Sequence, residues 1–282
     1  MEPLVLGLVL TAAVLHASWN ALVKIGGDAL VRLGLVNATA ALCALPLLPF
    51  VEVPAPESWP YLIGSTIIHQ FYYLFLILSY REGDLSHVYP IARGSAPFLV
   101  ALGALIFAGE TLNAQGMLAV AIICSAILSL AFTGNWRHGV KKPVLFALCT
   151  GITIAAYTIC DGLGGRSSGD VFGYIAYLFV LDAIPIILIT WYLRRYILVA
   201  TLRQSWLPGL LGGAFAIGAY GLVIWAMSLT PMTYVSALRE TSVIIAALIG
   251  TRLLKEPFGA QRVAAATLVA GGVVLLQLSK AS

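Results

Sequence analysis

A buried charge is expensive enough that an arginine inside an apolar run has to be accounted for, and this chain has two. Arg93 lies in the apolar run 87–109 and Arg239 in the run 233–254. A guanidinium is a planar fork of donors that fits a carboxylate or a pair of carbonyls. Two uses are therefore open to both residues: gripping the carboxylate of a bound small molecule, or pairing with protein carboxylates and carbonyls to lock segments together. Tyr89, Arg93 and Pro97 recur every fourth residue and so share one helix face. Arg239 is followed directly by Glu240. Neighbours along a helix point about 100° apart, so the two are not simply neutralising each other. One is expected to face a central space and the other a neighbouring helix.

Other residues of the same chemical kind gather around these. Tyr157 and Asp161 are four apart on one face, and His69, Tyr72, Tyr73, Leu76 and Tyr80 form an aromatic stripe at helical spacing. Such a stripe serves packing or a pocket, and Tyr80 also suits an interfacial anchor. Trp19, Tyr72, Tyr73, Tyr157, Tyr220 and Trp225 put hydroxyl- or indole-bearing rings on several segments, each with a donor that needs a partner or water. At least three of them are expected to line a water-containing cavity. His16 and Asn20 are polar groups of the first segment; His16 and His69 suit helix-to-helix hydrogen bonding or, since imidazole titrates near neutral pH, an ion-coupling role. The candidate contacts with a bound molecule are thus Trp19, Asn20, His69, Tyr72, Tyr73, Tyr89, Arg93, Tyr157, Asp161, Tyr220, Trp225, Arg239 and Glu240. No catalytic residue, metal ligand or cofactor site is expected, because there is no His-Glu-x-x-His, no Gly-x-Ser-x-Gly and no Cys–His grouping. Cys43, Cys124, Cys149 and Cys160 fall inside apolar runs and behave as small hydrophobes. Gly162-Leu163-Gly164-Gly165 lacks the preceding strand and following Lys-Ser/Thr of a phosphate loop. Asp182, with Pro185 nearby, marks a kink or a defect facing lipid.

The elements that must hold these groups are membrane helices. Hydrophobic residues make up 60% of the chain and charged ones 10%, with a mean hydropathy of +0.96, whereas about a quarter of a soluble domain is charged. Runs near the 20 residues that span a bilayer fall at 3–23, 30–50, 59–80, 87–109, 112–132, 143–163, 172–192, 207–228, 233–254 and 259–279. Their hydrophobicity is continuous and does not alternate, which selects helices over a barrel. The chain is read as an all-α integral membrane protein of ten transmembrane helices, with almost nothing left for a soluble domain. Glu2, and no Lys/Arg cluster, precedes the first run, so that run is read as a membrane helix and not as a cleaved signal peptide.

Residues 81–115 and 227–261 look like one segment written twice. At a constant offset of 146, Arg93 matches Arg239, Ala101 and Leu102 match Ala247 and Leu248, Glu110 matches Glu256, and Ala114-Gln115 match Ala260-Gln261. Two repeats are expected, at 1–135 and 143–282. Five helices per repeat is an odd number, so the second copy enters from the opposite side and the shared interface lies between the halves. Charge placement agrees. Lys24, Arg32, Arg81, Arg137, Lys141, Lys142, Arg194, Arg195, Arg203, Arg252, Lys255 and Arg262 flank connections after odd-numbered helices; those after even-numbered ones hold only Arg166. Basic residues accumulate on the cytoplasmic side, so both termini are expected in the periplasm, with Lys280 as the one dissent. Glu110 and Glu256 are expected to complement the dipoles of the helices that follow them, with Pro257 in a helix's first turn.

Two five-helix halves, each with a tight Gly-Glu-Thr-Leu or Lys-Glu-Pro-Phe turn before a last helix, resemble the ten-helix EamA branch of the drug/metabolite transporter superfamily. The carrying segments are Tyr89-Pro90-Ile91-Ala92-Arg93 through Glu110 and Tyr234 through Glu256, with His16-Ala17-Ser18-Trp19-Asn20-Ala21 opening the first half. Within that branch the chain is most similar to bacterial inner-membrane exporters of hydrophobic and aromatic amino acids. The resemblance implies alternating access through a central cavity, a small-molecule substrate, a lipid environment, and no nucleic acid or obligate protein partner. Multidrug, sugar and nucleotide-derivative transporters share the architecture and stand as alternatives. An intramembrane enzyme is the lesser rival, for want of a nucleophile with its base, and a signalling protein lacks an output module. The small four-helix relatives carry a glutamate in their first helix where this chain has His16 and Asn20, so their proton exchange is not carried over.

Overall fold

In the computed structural model, residues 2–24, 27–82, 85–132, 141–245 and 260–279 are described. They contain helices and no strand. The helices are α1 (Pro3–Lys24), α2 (Ala29–Ala44), α3 (Trp59–Glu82), α4 (Leu85–Ala108), α5 (Ala114–Ser129), α6 (Lys141–Ser167), α7 (Val171–Leu229), α8 (Met232–Arg239) and α9 (Ala260–Leu278). Pro46 and Pro49 remove backbone donors, and α2 tightens there into a 3-10 turn over Leu45–Phe50. Ala247, Leu248, Glu256 and Pro257, which carry part of the repeat pattern, lie outside the described residues.

The 59-residue α7 is the departure from the expected pattern. The sequence suggests two helices, at 172–192 and 207–228, with a connection between. Helical structure instead runs through, because residues 193–207 contain no Gly or Pro to stop it. A straight helix of this length would be about 88 Å long. Yet the Phe172 and Trp225 rings are 5.3 Å apart, and a Cβ on Gly221 would stand 3.3 Å from Ile175. The run therefore folds back between a first arm, Val171–Arg203, and a second, Trp206–Leu229, each long and apolar enough to cross a membrane. With the arms counted separately and α8 taken with the helical residues 241–245, ten helices result, seven of them meeting the length and hydropathy of a membrane span. The chain is a multi-pass membrane protein.

Packing relies on close approach, as it must where lipid removes the hydrophobic incentive for helices to associate. The second arm of α7 lies on α2, and its Gly213 is so near that a Cβ would meet the Val36 carbonyl oxygen at 2.6 Å. Gly209, Gly212, Gly218 and Gly221 likewise face Leu35, Val36, Leu15 and Ile175. α3 and α4 pack on α6, and α5 on α9 through Ala119, Ile123, Val269 and Leu276. Leu105 and Ile106 of α4 and Leu188 and Trp191 of α7 remain exposed, a surface that suits acyl chains and not water.

Gly109 ends α4 with φ of 65°, a left-handed conformation that costs glycine little, and Glu110 N donates back to Ala104 O. That turn aims Glu110 away from the helix that follows it. Its carboxylate accepts from the Met232 and Thr233 amides, at 3.0 and 3.4 Å, and from Arg166 at 2.8 Å. Glu110 thus caps α8. The N-terminus of α5 is capped by Asn113, which accepts from Gly116 N at 2.8 Å. The expectation that Glu110 complements α5 is corrected: Pro231, before α8, offers no side-chain cap, and a residue from the α4 turn supplies one.

Candidate functional site

Six helices converge on a central cavity of about 80 Å³, room for several waters. His16 and Trp19 reach it from α1, Asn37 from α2, and His69, Tyr72 and Tyr73 from α3. Tyr157 of α6, Phe179 and Asp182 of the first α7 arm, Tyr220 of the second, and Arg239 of α8 complete the polar and aromatic wall. The rings form one connected set. His69 stacks on Tyr157 at 4.1 Å and meets Tyr220 edge-on at 5.8 Å, while Tyr72 and Tyr220 each lie 5.6 Å from Tyr157. Trp19 Nε1 donates to His16 Nδ1 at 3.2 Å, so that nitrogen is the acceptor of its ring.

Tyr220 joins this wall to two charges. Its hydroxyl donates to Asp161 Oδ2, and Tyr174 donates to Asp161 Oδ1 at 3.0 Å. Asp161 is fully buried and is not on this cavity's wall; with both oxygens engaged, it holds the Tyr220 ring in place. Arg239 Cζ sits 5.3 Å from the centroid of that ring. Arg239 itself is 6% exposed, yet no hydrogen bond or ion pair reaches its guanidinium among the described residues. The chain bends at this point. α8 ends at Arg239, Glu240 N bonds back to Ala237 O and Val243 N to Glu240 O, and this three-residue spacing replaces the α-helical one.

Arg93 is placed differently. Nη2 meets Glu240 Oε1 at 2.8 Å, Nε donates to Oε2 at 3.1 Å, and Nη2 reaches Ser242 Oγ at 3.4 Å. This is a two-pronged, buried ion pair linking α4 to the bend after α8. Arg93 also borders a much smaller cavity, about 10 Å³, with Asn20 and Tyr89; His16 and Tyr72 line both cavities. Of the candidates named from sequence, the structure brings Trp19, His69, Tyr72, Tyr73, Tyr157, Tyr220 and Arg239 to the main cavity and Asn20, Tyr89 and Arg93 to the smaller. Asp161, Glu240 and Trp225 line neither; Trp225 packs on Phe172.

Asp182 was not among the candidates. It is 5% exposed on the wall of the main cavity, where Tyr73 donates to Oδ2 at 2.6 Å and Gln70 to Oδ1 at 2.8 Å. An ionisable group inside an apolar run was the available signal, but the partners sit on another helix more than 100 residues away. Gly162 and Gly164 lie within α6, where a Cβ would run into Met232 and the Tyr174 ring, so this stretch is a packing face.

Residues 141–278 match the EamA-like transporter family. That match lies in the second half of the chain and spans just under half of its length. Among solved proteins, 28 chains match, and one crystal structure, described simply as that of a protein, is 16% identical with a TM-score of 0.76. That likeness covers 97% of this chain and 96% of the other, so the shared fold extends over both halves. No curated protein matches the chain. The EamA-like family is one of membrane transporters for small metabolites.

Proposed function

We propose that this transporter exports hydrophobic and aromatic amino acids across a bacterial inner membrane, by alternating access through the central cavity between two inverted repeats, 1–135 and 143–282. The observation that carries this reading is the Arg239 guanidinium, buried and without an ion-pair partner among the described residues, on a cavity walled by tyrosine and histidine rings. An arginine fork takes a carboxylate in bidentate fashion. Ring faces add about 1 kcal/mol of stacking to the burial of an aromatic side chain. A polyanion such as a nucleotide sugar calls for several converging cations, and among the described residues Arg239 is the one fixed positive charge on this cavity. Both termini are assigned to the periplasm on the placement of Lys and Arg along the chain.

The test is transport itself. Proteoliposomes holding the purified protein should release labelled phenylalanine or methionine faster than protein-free liposomes, and cells overproducing it should tolerate toxic analogues of those amino acids. Flux of cationic dyes with none of amino acids would make this a drug exporter.

A further inference from the structure

Two buried ionisable groups of opposite sign face the same cavity, and neither forms an ion pair among the described residues. Arg239 is one. Asp182 is the other: its oxygens accept from Tyr73 and Gln70, but no Lys, Arg or His nitrogen among the described residues comes within 4 Å of it. The other acidic groups near the site differ: Glu240 is paired with Arg93, and Asp161, held by the phenols of Tyr174 and Tyr220 much as Asp182 is held by Tyr73 and Gln70, is not on the cavity wall. A neutral occupant would leave both charges unpaired. A simple anion would satisfy Arg239 and be repelled by Asp182; a simple cation would do the reverse. A molecule carrying both signs pairs both groups at once, and a low-dielectric wall makes that pairing count.

We infer that Asp182 and Arg239 are the two poles of a zwitterion subsite, Arg239 taking the carboxylate and Asp182 the ammonium, with the side chain against the His69, Tyr157 and Tyr220 rings. This rests on the amino-acid reading above and adds to it the specificity-determining group for the amine. Tyr73 and Gln70 act on Asp182, orienting its carboxylate and leaving lone pairs free on both oxygens for an ammonium.

The test uses the full-length protein in detergent and calorimetric titration with three probes of one shape: L-phenylalanine, 3-phenylpropionate, which lacks the amine, and phenethylamine, which lacks the carboxylate. Wild type should bind phenylalanine about tenfold or more tighter than either truncated probe, the scale expected for hydrogen bonds to charged groups. Asp182→Asn should lose that factor for phenylalanine and nothing for 3-phenylpropionate. Arg239→Gln should lose it for phenylalanine and nothing for phenethylamine. Equal binding of the three probes by wild type overturns the subsite without any variant, so a poorly folding Asp182→Asn does not shelter it. Equal losses for all three probes in Asp182→Asn overturn it too. If wild type binds no neutral amino acid at all, the amino-acid reading itself falls; if it binds phenylalanine with no selectivity for charge, only the subsite does.

Discussion

Arg93 and Arg239 are the same residue at matching places in two similar segments, and both are more than nine-tenths buried. Arg93 spends its fork on Glu240, while Arg239 has a tyrosine ring beneath it and an open cavity in front. The residue that separates their fates is Glu240, which follows one arginine in sequence and pairs with the other in space. One carboxylate cannot neutralise two arginines, so the arginine left over is the one available to an outside anion. A buried ion pair is costly to assemble, and its chief effect is to punish loss of either partner.

Glu240→Gln should therefore have the largest effect, because it strands Arg93 in a site already stripped of water. Removing one partner of a buried pair costs about 3–5 kcal/mol. A sharp fall in monodisperse protein and in Tm is expected, with recovery in the Arg93→Leu, Glu240→Leu double variant. If the single variant is as stable as wild type, Arg93 is not held by this pair and the contrast between the arginines dissolves.

The contrast sharpens with lysine. Arg93→Lys keeps the charge and loses the two-pronged geometry, so folded yield should drop. Arg239→Lys should leave yield unchanged and slow amino acid flux about tenfold, the cost of a weakened charged hydrogen bond. Yield and initial transport rate measured side by side separate the two, and matching behaviour at both positions would remove the distinction.

The smallest effect belongs to a pair of the same length in contact with water. Arg194 Nε meets Asp28 Oδ2 at 2.8 Å, with both side chains partly exposed, and Asp28 also caps α2 by accepting from Leu30 and Val31 N. Partial burial opposes ionisation of Asp28, but the Arg194 guanidinium and these two amides outweigh it and hold its carboxyl below the ordinary aspartate range. Its contribution is present at neutral pH and is lost as pH falls through that lowered value. Arg194→Gln at pH 7 should cost about 0–1 kcal/mol, less at high salt. A loss as large as that of Glu240→Gln would mean that burial is not what makes the Arg93 pair consequential.

Much of this protein can be read along the chain because lipid imposes local rules. A span needs about 20 apolar residues whatever its neighbours, so span number, helical class and the odd placement of polar groups are written in composition and order. The rings of Trp19, His69, Tyr72, Tyr73, Tyr157 and Tyr220 are visible in the same way, as donors in runs that offer no water. What one dimension does not carry is the choice among equivalent partners. Which arginine receives Glu240, that Glu110 caps α8 while Asn113 caps α5, that residues 171–229 continue as helix through their fold, and that Asp182 faces a cavity and not lipid are settled by contacts between groups far apart in sequence. Hydrogen-bond donors and charges find whatever complement packing brings within about 3 Å, and only the assembled helices decide which complement that is.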